Sequence, residues 1–99
     1  MITEIASITI DPSRAADFEA AVARAKPLFL AAEGCHGMQL ARVIEDPSQY
    51  HLVVRWESVE HHTVRFRESD NFRAWRALAG PFFAAPPVVI HTATVNLQP

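Results

Sequence analysis

Ninety-nine residues, 49% of them hydrophobic and 20% charged, suffice for one small domain and leave no room for a second. A formal charge of −2 excludes the basic field that sequence-independent nucleic-acid binding needs, so no nucleic-acid partner is expected. The single cysteine, Cys35, excludes an internal disulfide and any cysteine-rich metal centre.

No apolar run approaches the roughly 20 residues of a bilayer-spanning helix, and the start Met1-Ile2-Thr3-Glu4 lacks the basic region of a signal peptide. The expectation is a soluble, cytoplasmic protein with no membrane partner. A chain this short buries only about 60–65% of its unfolded surface, which makes oligomerisation an expectation as well.

Residues 2–10 alternate, with Ile2, Ala6, Ile8 and Ile10 on one side and Thr3, Ile5, Ser7 and Thr9 on the other, and this predicts a strand. Asp11-Pro12 then reads as a helix start: a capping carboxylate followed by a proline whose missing donor costs nothing at that position. Phe18, Val22, Ala25 and Phe29 form the apolar stripe of the helix that follows. Pro27, whose ring meets the carbonyl of Ala23, predicts a kink or break near Lys26, and Gly34 is a left-handed terminator.

Residues 36–45 and 50–57 predict two strands joined through Asp46-Pro47-Ser48-Gln49 as a hairpin. Ser58 caps a short helix with Val59, His62 and Phe66 on one face, and Ser69 caps another with Phe72, Trp75 and Leu78 inward, stopped by Gly80-Pro81. A last strand is expected over 88–97.

The order βαββαβ predicts an α+β, ferredoxin-like fold, a four-stranded antiparallel sheet with both helices on one face. Ala6, Ile8, Met38, Leu40, Leu52, Val54, Val89 and Val95 are expected under the helices. Ile5, Val43, Val53, Val88 and Ile90 then project the other way, a half-apolar face that sheet-to-sheet pairing of two copies would cover.

The run Tyr50-x-Leu52-x-Val54-x-Trp56-Glu57-Ser58, followed by Glu60, His62, Phe66, Ser69, Phe72, Pro81 and His91, resembles the antibiotic biosynthesis monooxygenase (ABM) family. The resemblance extends over residues 1–99 as a single ABM-like domain. It implies a homodimeric α/β barrel and an activity within a range that includes cofactor-independent quinol monooxygenases and haem-degrading enzymes. The haem-degrading members carry a tryptophan three residues before the serine of a Ser-Asp-x-Phe turn and a histidine four residues after its phenylalanine. Phe66 and Arg76 stand there, and a guanidinium cannot replace the imidazole that ligates haem iron, so that branch is set aside.

Among five histidines, His61 and His62 lie about 100° apart on a helix, so only one faces inward. The stripe Val59, His62, Phe66 selects His62, which also matches the histidine of the family's Trp-Glu-Ser region; His61 is expected in solvent. His62 is the candidate catalytic base, or else a half-buried histidine bonded to a backbone carbonyl or to Glu57. His91 shares a strand face with Val89 and Ala93 and points under the helices or lies at an exposed edge or dimer contact.

His36 and His51, at strand starts, are expected in water, and Cys35 is expected to be inert. Phe66, Trp75, Phe82 and Trp56, with His91, are candidate contacts for a small hydrophobic or aromatic molecule, the alternative for each aromatic being a place in the core. Arg55 or Ser7 would hold an oxyanion if they face the cavity. No metal site and no cofactor are expected.

The function expected is a cofactor-independent monooxygenase that oxidises a small phenolic or quinol-type substrate with O₂, which needs a base, oxyanion donors and a dry pocket. The alternatives are a non-catalytic dimeric small-molecule-binding module, or an isomerase or decarboxylase using the same base.

Overall fold

In the computed structural model, which describes all 99 residues, the alternation near the N-terminus becomes strand β1 (Ile2–Thr9). Asp11 caps the next turn by accepting the amide of Ser13 at 2.9 Å, and a 3₁₀ turn leads into helix α1 (Ala15–Leu30). The helix runs through Pro27 without breaking near Lys26. Pro27 and Ala23 both face solvent, so water can take over the one carbonyl that loses its partner, and the Pro27 carbonyl still accepts the Ala31 amide at 3.0 Å.

Gly34 turns the chain at φ +82, and a Cβ there would come within 2.4 Å of the His61 ring. Both facts require glycine. Strands β2 (Cys35–Arg42) and β3 (Gln49–Trp56) form the expected hairpin, with Val43 lying just past the end of β2.

The segment after β3 differs from the short α-helix expected there. Residues His61–Phe66 are π-helical, with the Arg67 amide reaching back five residues to the His62 carbonyl at 3.2 Å. Helix α2 (Asp70–Ala79) is capped by Ser69, whose hydroxyl accepts the Phe72 amide at 3.2 Å, and a 3₁₀ turn through Gly80-Pro81 ends it.

Strand β4 (Val88–Ala93) stops well before residue 97. Its partner explains why: Ala93 pairs with Ile2, where β1 begins, so nothing remains for residues 94–97 to bond. Val95, expected in the core, is therefore 73% exposed.

The sheet order is β2-β3-β1-β4, all antiparallel, with β1 and β3 central. This is the ferredoxin-like arrangement. On the helix side Ala6, Ile8, Met38, Leu52, Val54 and Trp56 are buried with Phe18, Val22, Ala25 and Phe29 of α1, while Leu40 and Val89 pack at the margin. Phe29 ties the layers together, 4.8 Å from Phe66 and 5.1 Å from Trp75 between ring centres. On the opposite side Ile5, Val53 and Ile90 make one cross-strand row through cognate register, and Val88 and Ile90 are exposed.

Candidate active site

Glu4 sits two residues from Ile2 and two from Ala6, so the period of a strand turns its side chain into the helix-covered face. It is only 4% exposed, a carboxyl group in the middle of a hydrophobic layer. The fold surrounds it with partners drawn from three other elements. Trp56, at the end of β3, donates its indole N–H to Glu4 Oε1 at 2.9 Å. His62, from the π-helical segment, brings Nε2 to 3.3 Å from the same oxygen. His91, directly opposite Glu4 in the β1–β4 register, places Nε2 at 2.8 Å from His62 Nδ1.

His62 is held by more than polar contacts. Its ring stacks on Trp56 with centres 5.5 Å apart and planes 17° apart, and it is 3% exposed. Phe66, one turn on, anchors the segment by packing against Phe29, Trp56 and Phe72.

Burial disfavours charge on both groups and moves them in opposite directions. Glu4 is pushed up to about 7, chiefly by burial, against the lowering effects of the Trp56 hydrogen bond and of Arg67. His62 is pushed down to about 4, again first by burial and then by the positive Arg67 and by His91. Near neutral pH the imidazole is therefore uncharged, and the carboxyl group is the one poised to gain or lose a proton.

Glu4 and His62 open onto a cleft of about 300 Å³ between the sheet and α2. Phe72, Trp75, Phe83 and Val89 wall it, and Arg67 and Arg76 supply its positive charge. Every other close arginine–carboxylate pair, Arg42 with Glu19, Arg65 with Glu33 and Arg73 with Asp70, lies elsewhere, so the two cleft arginines have no carboxylate within ion-pair distance. An apolar space with a few converging polar groups is the usual make-up of a small-molecule site.

The residues singled out from the sequence divide between this cleft and its surroundings. His62 and Trp75 line it. Trp56 and His91 stand behind the lining, holding Glu4 and His62, and Phe66 is core. Phe82 lies away from the cleft, against Phe18 and beneath the Arg14 guanidinium at 4.3 Å, while its neighbour Phe83 and Phe72 take the wall positions.

Neither Arg55 nor Ser7 faces the cavity: the strand period puts both on the open sheet face, Arg55 beside Gly37. The cations that do face it are Arg67 and Arg76. His61 is half-buried instead of solvated, with Nδ1 2.7 Å from Ser58 Oγ. His51 is exposed, and His36 is exposed beside Glu57, 3.9 Å away. Burial pushes the Cys35 thiol up, away from the reactive thiolate.

The residue missed from the sequence is Glu4. Its signal was present, since an acid in register with Ile2, Ala6 and Ile8 on an alternating strand is the buried polar group that alternation makes informative.

Residues 1–78 match the family model described as antibiotic biosynthesis monooxygenase. The uncharacterised protein YczJ of Bacillus subtilis (strain 168) is 33% identical over 91 residues, covering 92% of this chain and 96% of that relative. A crystal structure from Bordetella bronchiseptica, named for the same family, is 56% identical with a TM-score of 0.93, covering 96% of this chain and 97% of its own. Another so named, from Caulobacter crescentus CB15, is 25% identical with a TM-score of 0.81, over 96% of this chain and 90% of its own.

Proposed function

The chain belongs to the antibiotic biosynthesis monooxygenase family, and we propose that it is a cofactor-independent monooxygenase that oxidises a small phenolic or quinol-type aromatic with O₂, acting as a homodimer. The observation that carries this reading is the cleft itself: a buried carboxyl–imidazole pair beside two unpaired arginines, walled by aromatic side chains.

An electron-rich quinol is its own reductant. Loss of its hydroxyl proton raises the electron density that O₂ takes up; one oxygen atom then forms a carbon–oxygen bond on the ring and the other leaves as water. A dihydroxybenzene and O₂ thereby become a hydroxyquinone and water, with no external electron donor. The protein's share is to take the proton, to hold the developing oxyanion, and to keep water away from the activated ring. The Glu4–His62 pair suits the first task, Arg67 and Arg76 the second, and Phe72, Trp75 and Phe83 the third.

The open sheet face supports the homodimer. Ile5, Val53 and Ile90 form an apolar row across three strands, with Val88 beside it, and a second copy laid on this face would remove it from water.

The test is O₂ consumption by metal-free purified protein against a panel of hydroquinones and polyphenols, with autoxidation blanks subtracted. Protein-dependent uptake with a hydroxylated quinone as product is the expected result. Tight binding of these compounds with no uptake would replace the oxygenase with a binding module or an isomerase.

A further inference from the structure

Both ring nitrogens of His62 already have partners. Nδ1 lies 2.8 Å from His91 Nε2, and Nε2 faces Glu4 Oε1 at 3.3 Å, so the imidazole has no free lone pair to offer a molecule in the cleft. His91 is equally committed through Nε2 and does not line the cleft.

The two oxygens of Glu4 are not equivalent. Oε1 receives the Trp56 N–H at 2.9 Å and faces His62. Oε2 takes no hydrogen bond from the protein, yet no fully enclosed side-chain oxygen is left without a partner, so Oε2 keeps some access to open space, and the cleft is the space that Glu4 lines. Taking the monooxygenase reading above as its basis, we infer that Glu4, through Oε2, is the catalytic base that removes the hydroxyl proton of the bound phenol, while His62 and His91 position that carboxylate.

The step is a proton transfer alone. The phenol O–H bond breaks, its electron pair stays on the phenolate oxygen, and a new O–H bond forms at Glu4 Oε2. The phenolate is left beside Arg67 and Arg76. His91 matters because an ionised Glu4 can only accept: His62 then presents Nε2–H to Oε1, its Nδ1 is left to accept the Nε2–H of His91, and that contact holds the tautomer that leaves Oε2 to the substrate.

The polar and charged groups around Glu4 come from every element packed against it: Trp56 of β3, His62 of the π-helical segment, Arg67 after it, Arg76 of α2, His91 of β4 and the Cys35 thiol at the start of β2. Burial brings the carboxyl up to about 7 against the lowering effects of the Trp56 hydrogen bond and of Arg67, and that is where a base works best at neutral pH.

The test is made without oxygen, so that it stands apart from the oxygenase reading. Hydroquinone and catechol are bound anaerobically, binding is followed by tryptophan fluorescence, and infrared difference spectra are recorded for the wild type and for Glu4→Gln, which keeps an acceptor for Trp56. A carboxylic-acid C=O band that appears on binding to the wild type and is missing in Glu4→Gln is the expected result. Bound phenol without that band, or an unchanged band in Glu4→Gln, overturns the assignment, and failure of both phenols to bind overturns the assignment and the oxygenase reading together.

In aerobic turnover Glu4→Gln lowers kcat by about 100- to 10,000-fold, whereas His91→Gln, acting through position, shifts the midpoint of the kcat–pH profile with KM little changed. An unmoved profile removes His91 from this role. A wild type that shows the band but consumes no O₂ overturns the oxygenase reading and leaves the proton assignment in place.

Discussion

The opposite displacements of Glu4 and His62 make a stability signature that either residue alone would betray. Glu4 rises from an ordinary 4.5 to about 7 in the folded protein. Between those values the native state binds the extra proton and the unfolded state does not, so stability falls as pH rises through that window. His62 drops from 6.5 to about 4, and between those values the unfolded state binds the extra proton, so stability rises with pH. Each pH unit is worth about 1.4 kcal/mol, giving each residue a contribution on the order of 3 kcal/mol across its window.

The two windows overlap from about 4.5 to 6.5, and there the slopes have opposite signs and cancel. The wild type should show almost no pH dependence from this pair in that range. Removing one partner uncovers the other, because burial is the leading cause of both displacements and survives the substitution.

Glu4→Gln should lose about 3 kcal/mol of stability between pH 6.5 and pH 4, and His62→Gln a similar amount between pH 4.5 and pH 7. Urea unfolding followed by the fluorescence of Trp56 and Trp75, at half-unit pH steps, measures both. Parallel stability–pH curves for the two variants would refute the reasoning, since the argument requires slopes of opposite sign.

Gly34→Ala should destabilise the chain by more than the ~1–2 kcal/mol of a left-handed alanine, because its Cβ also meets the His61 ring; adding His61→Ala should restore only the part due to that clash, as read by thermal unfolding. Arg67→Met and Arg76→Met should each weaken binding of a phenolate by about 1.5–3 kcal/mol, the worth of a charged hydrogen bond, while leaving a methyl-ether analogue unaffected by calorimetry; equal losses for both ligands would count against an oxyanion role. Placing a charge in the apolar row of the open sheet, as Val53→Lys or Ile5→Glu, should turn a dimer into a folded monomer by light scattering with circular dichroism as the control, and a wild type already monomeric would remove the proposed assembly.

Much of the architecture was legible because it depends on local chemistry. Ser69 caps α2 as expected, and Asp11 caps the 3₁₀ turn that leads into α1 and not α1 itself, since a short polar side chain next to orphan amides acts within a single turn. The alternation of residues 2–10 and 50–57 placed their side chains on the correct faces, because the period of a strand is fixed by its backbone. His62 was picked out as the inward histidine for the same kind of reason. The resemblance carried by Trp56, Glu57, Ser58, His62 and Phe66 led to the family that the comparisons show.

The rest needed distant partners. Whether residues 61–66 wind as an α- or a π-helix turns on fitting His62 over Trp56 while Phe66 reaches Phe29, a packing requirement that no window of sequence contains. The end of β4 is set by where β1 begins, on the far side of the sequence. Trp56 lies 52 residues from Glu4 and His91 lies 29 from His62, yet each pair shares a hydrogen bond.

The amino-acid order by itself thus determined the succession of helices and strands, most of their faces and the family, because caps, turns and periodicity are local. Only the tertiary structure decided that Glu4, His62 and His91 form one hydrogen-bonded chain, that two arginines without a carboxylate partner share the cleft with it, and that Glu4 lines that cleft. Desolvation and hydrogen bonding act between neighbours in space, and those neighbours exist only once the sheet has closed under its helices.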